Sequence, residues 1–126
     1  MSAGGIVQAA VIAHLAPLGR VFDAVPARAA MPYLVVEDPV LAAGDAVGLA
    51  GRTGTIAITC IDAGVSPVRV RALLAAVEAA MATLPPQPGG GWRITSARLV
   101  RSQIALGKGE RWVATSTFAV RMYRSN

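Results

Sequence analysis

Reactive side chains are nearly missing from this chain of 126 residues, which has one histidine, His14, and one cysteine, Cys60. A lone cysteine excludes an intrachain disulfide, and one His with one Cys falls short of the four ligands of a structural zinc site. Charge is scarce too: Asp, Glu, Lys and Arg make up 15% of the chain, against about 25% in an average domain. Aromatic residues are 5%, and no aromatic platform, helix-turn-helix or zinc-finger spacing supports sequence-specific nucleic-acid recognition. Residues 1–19 are the one uncharged stretch long enough to suggest a membrane. Gln8 and His14 interrupt it, Pro17 ends it and no Lys or Arg precedes it, whereas a span needs roughly 20 mostly apolar residues. An amphipathic helix of a soluble protein is expected there, and no membrane partner.

What is present is apolar: 54% hydrophobic residues and a mean hydropathy of +0.52. The length fits a single domain over residues 1–126, large enough to bury about two-thirds of its unfolded surface. So apolar a composition comes partly from abundant alanine and partly from side chains that a partner must cover. The net charge of +5 is unevenly spread. Residues 1–63 hold three arginines against five carboxylates, whereas residues 64–126 hold nine basic residues against Glu78 and Glu110. Eleven of the twelve basic residues are Arg. A GC-rich genome produces that bias without any binding purpose; equally, the planar guanidinium is suited to phosphate and carboxylate.

Periodicity orders the chain. A first helix is expected over residues 5–18, with Ile6, Val7, Ala10, Val11, Leu15 and Leu18 on one stripe and Gly19 as the stop. Short strands come next at residues 21–25, ended by Pro26, at 33–37, opened by Pro32, and at 55–61. A second helix is expected over residues 67–84, with Ser66 at its N-cap, Pro67 in its first turn and Pro85-Pro86 beyond its end. Its apolar face is Val70, Leu73, Leu74, Val77, Met81 and Leu84; its alanines leave the other surface smooth. The last strand, 111–124, alternates cleanly, with Trp112, Ala114, Ser116, Phe118, Val120 and Met122 on one face. Its partner, 92–106, places Arg98 among apolar positions of the same parity, so a bulge near residues 97–99 is expected to turn that charge outward. Gly107-Lys108-Gly109 joins the two. The fold class is therefore α+β: a mainly antiparallel sheet with two helices on one face. Residues 39–52 carry no helical or strand period and are expected as a long loop or hairpin extension, functional or mobile at that length.

No catalytic constellation can be assembled. His14 stands at the end of a helix, where a capping or partly buried residue is the ordinary outcome, and Cys60 lies in a strand pattern as a small buried hydrophobe. Glu37 and Asp38 are adjacent and point to opposite faces of a strand. Gly89-Gly90-Gly91 lacks the Lys-Ser/Thr of a phosphate loop and comes after a helix rather than a strand. Neither a cofactor nor a metal is implied.

The order of elements and the segment Gly19-Arg20-Val21-Phe22-Asp23-Ala24-Val25-Pro26, continuing to Pro32-Tyr33-Leu34-Val35-Val36-Glu37-Asp38, resembles the phage tail-completion (tail-terminator) family of long-tailed bacteriophages and gene transfer agents. Gly51-Arg52-Thr53 leading into the 55–61 strand, the second helix and the final hairpin continue that likeness over nearly the whole chain; residues 39–50, rich in Ala and Gly, depart from it. The resemblance implies a structural virion protein and no enzyme. It implies a ring, most often of six subunits, at the head-proximal end of the tail tube, assembled in the bacterial cytoplasm. The ring would contact the tail tube protein and the head-completion or connector protein, with double-stranded DNA passing non-specifically through its lumen.

Two groups of residues are candidates for contacts. Val40, Leu41, Val47, Leu49 and Arg52 are expected to meet a neighbouring subunit or the tube, since a solvated loop has no reason to carry four aliphatic side chains. Arg98, Arg101 and Arg121 are expected at the lumen or between subunits, with a solvated outer face as the plain alternative. A head-closure or minor tail protein of the same particle, and a small basic nucleic-acid-binding domain acting alone, are the other readings; an enzyme with a concealed site is the weakest.

Overall fold

The computed structural model describes residues 1–125; Asn126, the last residue of the expected domain, lies outside the described residues. Helix α1 (Ala3–Leu15) begins earlier than its apolar stripe, because Ser2 caps it with Oγ accepting the Gly5 N–H at 3.0 Å. Pro17 has no N–H to continue an α-turn, so Ala16–Leu18 tighten into a 3-10 turn that Gly19 ends at φ +147°. Val7, Val11 and Leu15 are fully buried, as the stripe requires.

Helix α2 (Val68–Met81) starts one residue later than expected: Pro67 is the cap, and Ser66 Oγ accepts the Val68 N–H at 3.3 Å. It also stops before Leu84, where Thr83 Oγ1 donates to the Ala80 carbonyl at 3.0 Å ahead of Pro85. Its first turn is tied to the sheet by Arg69, whose Nε and Nη2 donate to the two carboxylate oxygens of the buried Asp62 at 2.6 and 2.5 Å. That fork also holds the Asp62 carboxyl below its ordinary range.

The sheet comprises β1 (Val21–Phe22), β2 (Tyr33–Val36), β3 (Val40–Ala43), β4 (Leu49–Ala63), β5 (Arg93–Leu106) and β6 (Arg111–Ser125). Its order is β1-β2-β4-β6-β5, with β3 beside β2 on the same side of β4. Among the described residues only the short β1–β2 pairing is parallel. The first of these strands is shorter than the extended segment expected over 21–25.

Both helices lie on one face. Helix α1 packs on β1, β2 and α2, and α2 covers β4, β6 and β5. The core between them takes Ile56, Ile58 and Cys60 from β4 and Ala114, Phe118, Val120 and Met122 from β6. Strand β2 is buried on both sides. Leu34 and Val36 join the main core, while Tyr33 and Val35 form a second small cluster with Ile61, Phe22, Ala29 and Met31 on the opposite face.

Two expectations need correction. Residues 39–52 are not an aperiodic loop, and the hairpin alternative is what forms: β3 pairs with Arg52–Thr55 of β4 around a two-residue Val47-Gly48 turn closed by reciprocal Ala46 and Leu49 hydrogen bonds of 3.2 and 3.0 Å. Its strand character is hidden because Val40, Leu41, Ala42 and Ala43 show no polar alternation and because Gly51 and Gly54 are poor strand formers. Those glycines are needed for close approach. A Cβ at Gly54 would run into the Val40 carbonyl, and one at Gly51 into the Gly44 carbonyl.

Strand β5, second, has two irregularities rather than one near 97–99: the register shifts at Thr95 and again at Val100. Each extra residue reverses the facing of the strand residues beyond it. Two reversals leave the strand ends in phase and invert only the middle, which puts Arg98 opposite Ala119 on the uncovered face.

Substituting Gly54→Ala is expected to cost about 1–3 kcal/mol in urea denaturation, since the new methyl meets backbone rather than a yielding side chain. Loss of amide protection confined to residues 40–43 would locate the damage at the hairpin. For Asp62, a carboxyl held low in the folded state contributes stability above its ordinary value of 3.8 that is lost as pH falls through the folded value. The stability gap between the native protein and Asp62→Asn should therefore be full at pH 6 and shrink below pH 3.8; a gap independent of pH would mean that the Arg69 fork has no such role.

Candidate functional site

The unbroken β4–β6 register sorts the candidate residues between two faces. On the uncovered face stand Thr53, Thr55, Ala57 and Thr59 of β4 and Thr115, Thr117, Ala119 and Arg121 of β6, with Arg93, Ser96, Arg98 and Arg101 beside them on β5. Thr59 Oγ1 lies 3.3 Å from Thr115 Oγ1 and donates to Glu37 Oε2 at 2.8 Å. Arg98 and Arg121 flank a hollow of about 290 Å³ lined also by Thr53 and Ser96. Arg101 is one step along the same face, opposite Thr117. The three arginines singled out from sequence thus share one surface. Among the described residues no carboxylate lies within ion-pair distance of any of them; the ion pairs that do occur are Arg69–Asp62 and Arg52–Asp45.

The five hairpin candidates do not share one surface. Val40 is 74% exposed on the uncovered face, opposite Thr55, and Val47 is fully exposed at the turn. Leu41 turns inward onto the protein's own core, and Leu49 is half-buried. Arg52 also points to the helix side, where its guanidinium lies 5.5 Å from the Trp92 ring centroid and donates to the Gly51 carbonyl at 2.8 Å. Asp45 stands 3.9 Å from it and accepts the Gly51 N–H at 2.7 Å, bracing the hairpin.

Arg52 belongs to a cluster that sequence reasoning missed. Arg124, from the end of β6, lies 4.7 Å from the same Trp92 ring, so two cations share one indole. Such contacts contribute about 0.5–2 kcal/mol each, depending on exposure. Trp92 is 3% exposed and its indole N–H has no partner among the described residues. It borders a surface hollow of about 740 Å³, together with Leu49, Tyr123, Arg124 and Gly91. That hollow holds no imidazole, thiol or carboxylate among its lining residues. The only sequence signal for the cluster is the placement of Trp92 and Arg124 at the ends of two strands whose register a hairpin sets.

The chemically versatile side chains are occupied elsewhere. His14 Nε2 lies 2.7 Å from the Ala80 carbonyl and 3.4 Å from Thr83 Oγ1, joining α1 to the end of α2. Cys60 is fully buried, and burial with the nearby Glu78 charge pushes its thiol up to about 12, so it is no nucleophile at neutral pH. Among the described residues no three His, Cys, Asp or Glu side chains gather as metal ligands, and no helix is long and apolar enough to cross a membrane. The surfaces this molecule offers are suited to contact.

Trp92→Ala is expected to cost about 3–5 kcal/mol, as for other buried aromatic truncations. Trp92→Phe should cost far less, because the unpartnered N–H, itself a penalty of about 1–3 kcal/mol, leaves with the indole. Equal losses in thermal or urea denaturation would show that the N–H is satisfied in solution.

Comparison with known proteins agrees with this geometry. No curated protein matches the sequence. Among solved structures, a chain of the virion of a native gene transfer agent (GTA) particle superposes with a TM-score of 0.83 at 22% identity, covering 98% of this chain and 99% of that one. At that identity the match establishes a shared fold. The family model for tail completion protein gp17 matches residues 6–123, from the first turns of α1 almost to the end of β6, and the chain belongs to that family, a structural and non-enzymatic one.

Proposed function

We propose that the chain is a virion protein of a phage or phage-like particle that completes the tail by forming a ring, of six subunits, at the head-proximal end of the tail tube. One side of the ring contacts the tail tube protein and the other the head-completion or connector protein, and double-stranded DNA crosses the lumen. The observation that carries this reading is the family match over almost the whole chain; the GTA virion chain of the same fold supports it. The shape of the molecule is consistent with assembly. It leaves Val40 and Val47 at one end in solvent and Val65, Val68 and Leu106 exposed elsewhere, and its uncovered sheet face carries arginines that form no ion pair among the described residues.

An electron-microscopy map of the particle tests the reading, with a closed ring of this chain at the neck as the expected result. A single copy per tail would overturn the ring, and a position inside the head-closure layer would favour a head-closure protein. A monomer that binds DNA tightly and with steep salt dependence, yet never enters particles, would favour the stand-alone nucleic-acid domain. Replacing Arg98, Arg101 and Arg121 together by Ser is expected to leave the denaturation midpoint of the subunit unchanged, since all three are exposed, while lowering particle assembly or DNA retention. Unaltered gene delivery by such particles would return the three arginines to a merely solvated face.

A further inference from the structure

Position 98 differs in parity from positions 93 and 101, so in an unbroken strand Arg98 would face away from Arg93 and Arg101. The register shifts at Thr95 and Val100 turn all three to the uncovered face, where Arg93 pairs with Tyr123, Arg98 with Ala119 and Arg101 with Thr117. One level of that face between Tyr123 and Thr117 has no arginine from β5. It is the level of residue 121, and there β6 itself supplies Arg121, opposite Ser96. Guanidinium groups therefore stand at four successive levels, in the order Arg93, Arg121, Arg98 and Arg101, and all four residues are exposed.

Successive levels lie two residues apart on β6, a step of about 7 Å, so the row extends about 20 Å along the β5–β6 seam. That step is close to the separation of neighbouring phosphates along one strand of a nucleic acid. A hydroxyl accompanies the cation at every level: Tyr123 beside Arg93, Thr53 and Ser96 on either side of Arg121, Thr55 across Ala119 from Arg98, and Thr117 beside Arg101. Between the second and third levels the small Ala119 leaves the hollow of about 290 Å³ that Arg98 and Arg121 flank. Guanidinium and hydroxyl groups are the side-chain donors that contact phosphate oxygens.

The surroundings favour a polyanion over a protein. None of the four arginines has a carboxylate within ion-pair distance among the described residues. The row ends before the Thr115 level, where Thr59 donates to Glu37 at 2.8 Å. Apart from Tyr123, the paired residues along the row are Ala, Ser and Thr, which gives no cluster of aromatic or large aliphatic anchors on which a protein interface would centre. No helix or ribbon projects from this face to enter a groove, so the contact is to backbone and carries no sequence preference.

We propose that Arg93, Arg121, Arg98 and Arg101 form a track for the phosphates of one strand of duplex DNA, one phosphate to each level, with the backbone lying along the β5–β6 seam. This rests on the reading above that DNA crosses the lumen, and it specifies the face and the residues that meet the DNA. The two extra residues of β5 are then the device that brings arginines of unlike parity into one row.

The test uses the full-length subunit and a fluorescently labelled duplex of mixed sequence, with anisotropy followed between about 50 and 200 mM salt. For four phosphates the slope of log K against log salt is expected at about −3 to −4, and Arg93→Gln, Arg98→Gln, Arg101→Gln and Arg121→Gln should each make it shallower by about one. Arg71→Gln, the same loss of charge on the exposed side of α2, should leave the slope unchanged. Adding Thr55→Arg to Arg98→Gln returns a guanidinium to the same level and should restore the slope. No binding of the duplex, or an effect of Arg71→Gln equal to the other four, would overturn the track. Polyglutamate that binds as tightly as the duplex would overturn the phosphate assignment in favour of an acidic protein partner. A ring enclosing DNA in the map, with the four variants indistinguishable from Arg71→Gln, would leave the lumen reading standing without the track; a map with no such ring would overturn that reading, while the slopes would still decide whether this face binds phosphate.

Discussion

Everything in this molecule hangs on the pairing of β4 with β6, which runs without a register break from Leu49 opposite Ser125 to Ala63 opposite Arg111. An antiparallel ladder of that length sends alternate side chains to opposite faces from one end of the protein to the other. Ile56, Ile58, Phe118, Val120 and Met122 are thereby committed to the helices, and Thr53, Thr55, Thr115, Thr117 and Arg121 to the uncovered side. The other strands adapt to this pair. Strand β5 inserts two extra residues to keep its arginines off the core, and β3 reaches its place only because Gly51 and Gly54 let backbone approach backbone.

The consequence is a domain with one face finished and one unfinished. The helix side is closed by complementary apolar surfaces, and two of its polar groups are satisfied locally: Asp62 by the Arg69 fork, His14 by the Ala80 carbonyl. The uncovered side keeps arginines that form no ion pair among the described residues, and exposed aliphatic groups such as Val40. A monomer gains nothing from either, whereas a protein built into a larger particle can use both. Membership of the tail completion gp17 family agrees with this division.

Several elements were legible in the sequence because a single local signal dictated them. The α2 stripe of Val70, Leu74, Val77 and Met81 and the alternation of β6 from Trp112 to Met122 reflect one apolar surface below each element. Gly19 and Pro17 ended α1 as backbone chemistry demands. The hairpin at residues 39–52 was not legible as a strand pair, since alanine carries no face preference and glycine lowers strand propensity even where close approach requires it. Nor was the fate of Arg52, expected outward and found over Trp92 with Arg124; one position of parity in β4 decides it, and only the β4–β6 register sets that parity.

By itself, then, the sequence determined the class of fold, the two helices, the long final hairpin and the absence of ordinary catalytic groups, because composition and short-range periodicity carry that information. Tertiary structure alone decided which surface each candidate residue occupies. It brought Arg98, Arg101 and Arg121 onto one face, split Val40 from Leu41, and set Arg52 beside Arg124 at the Trp92 ring. Those relations join residues far apart in the chain. They depend on strand register and on bulges, where a shift of one residue exchanges inside for outside, and no local pattern records that choice.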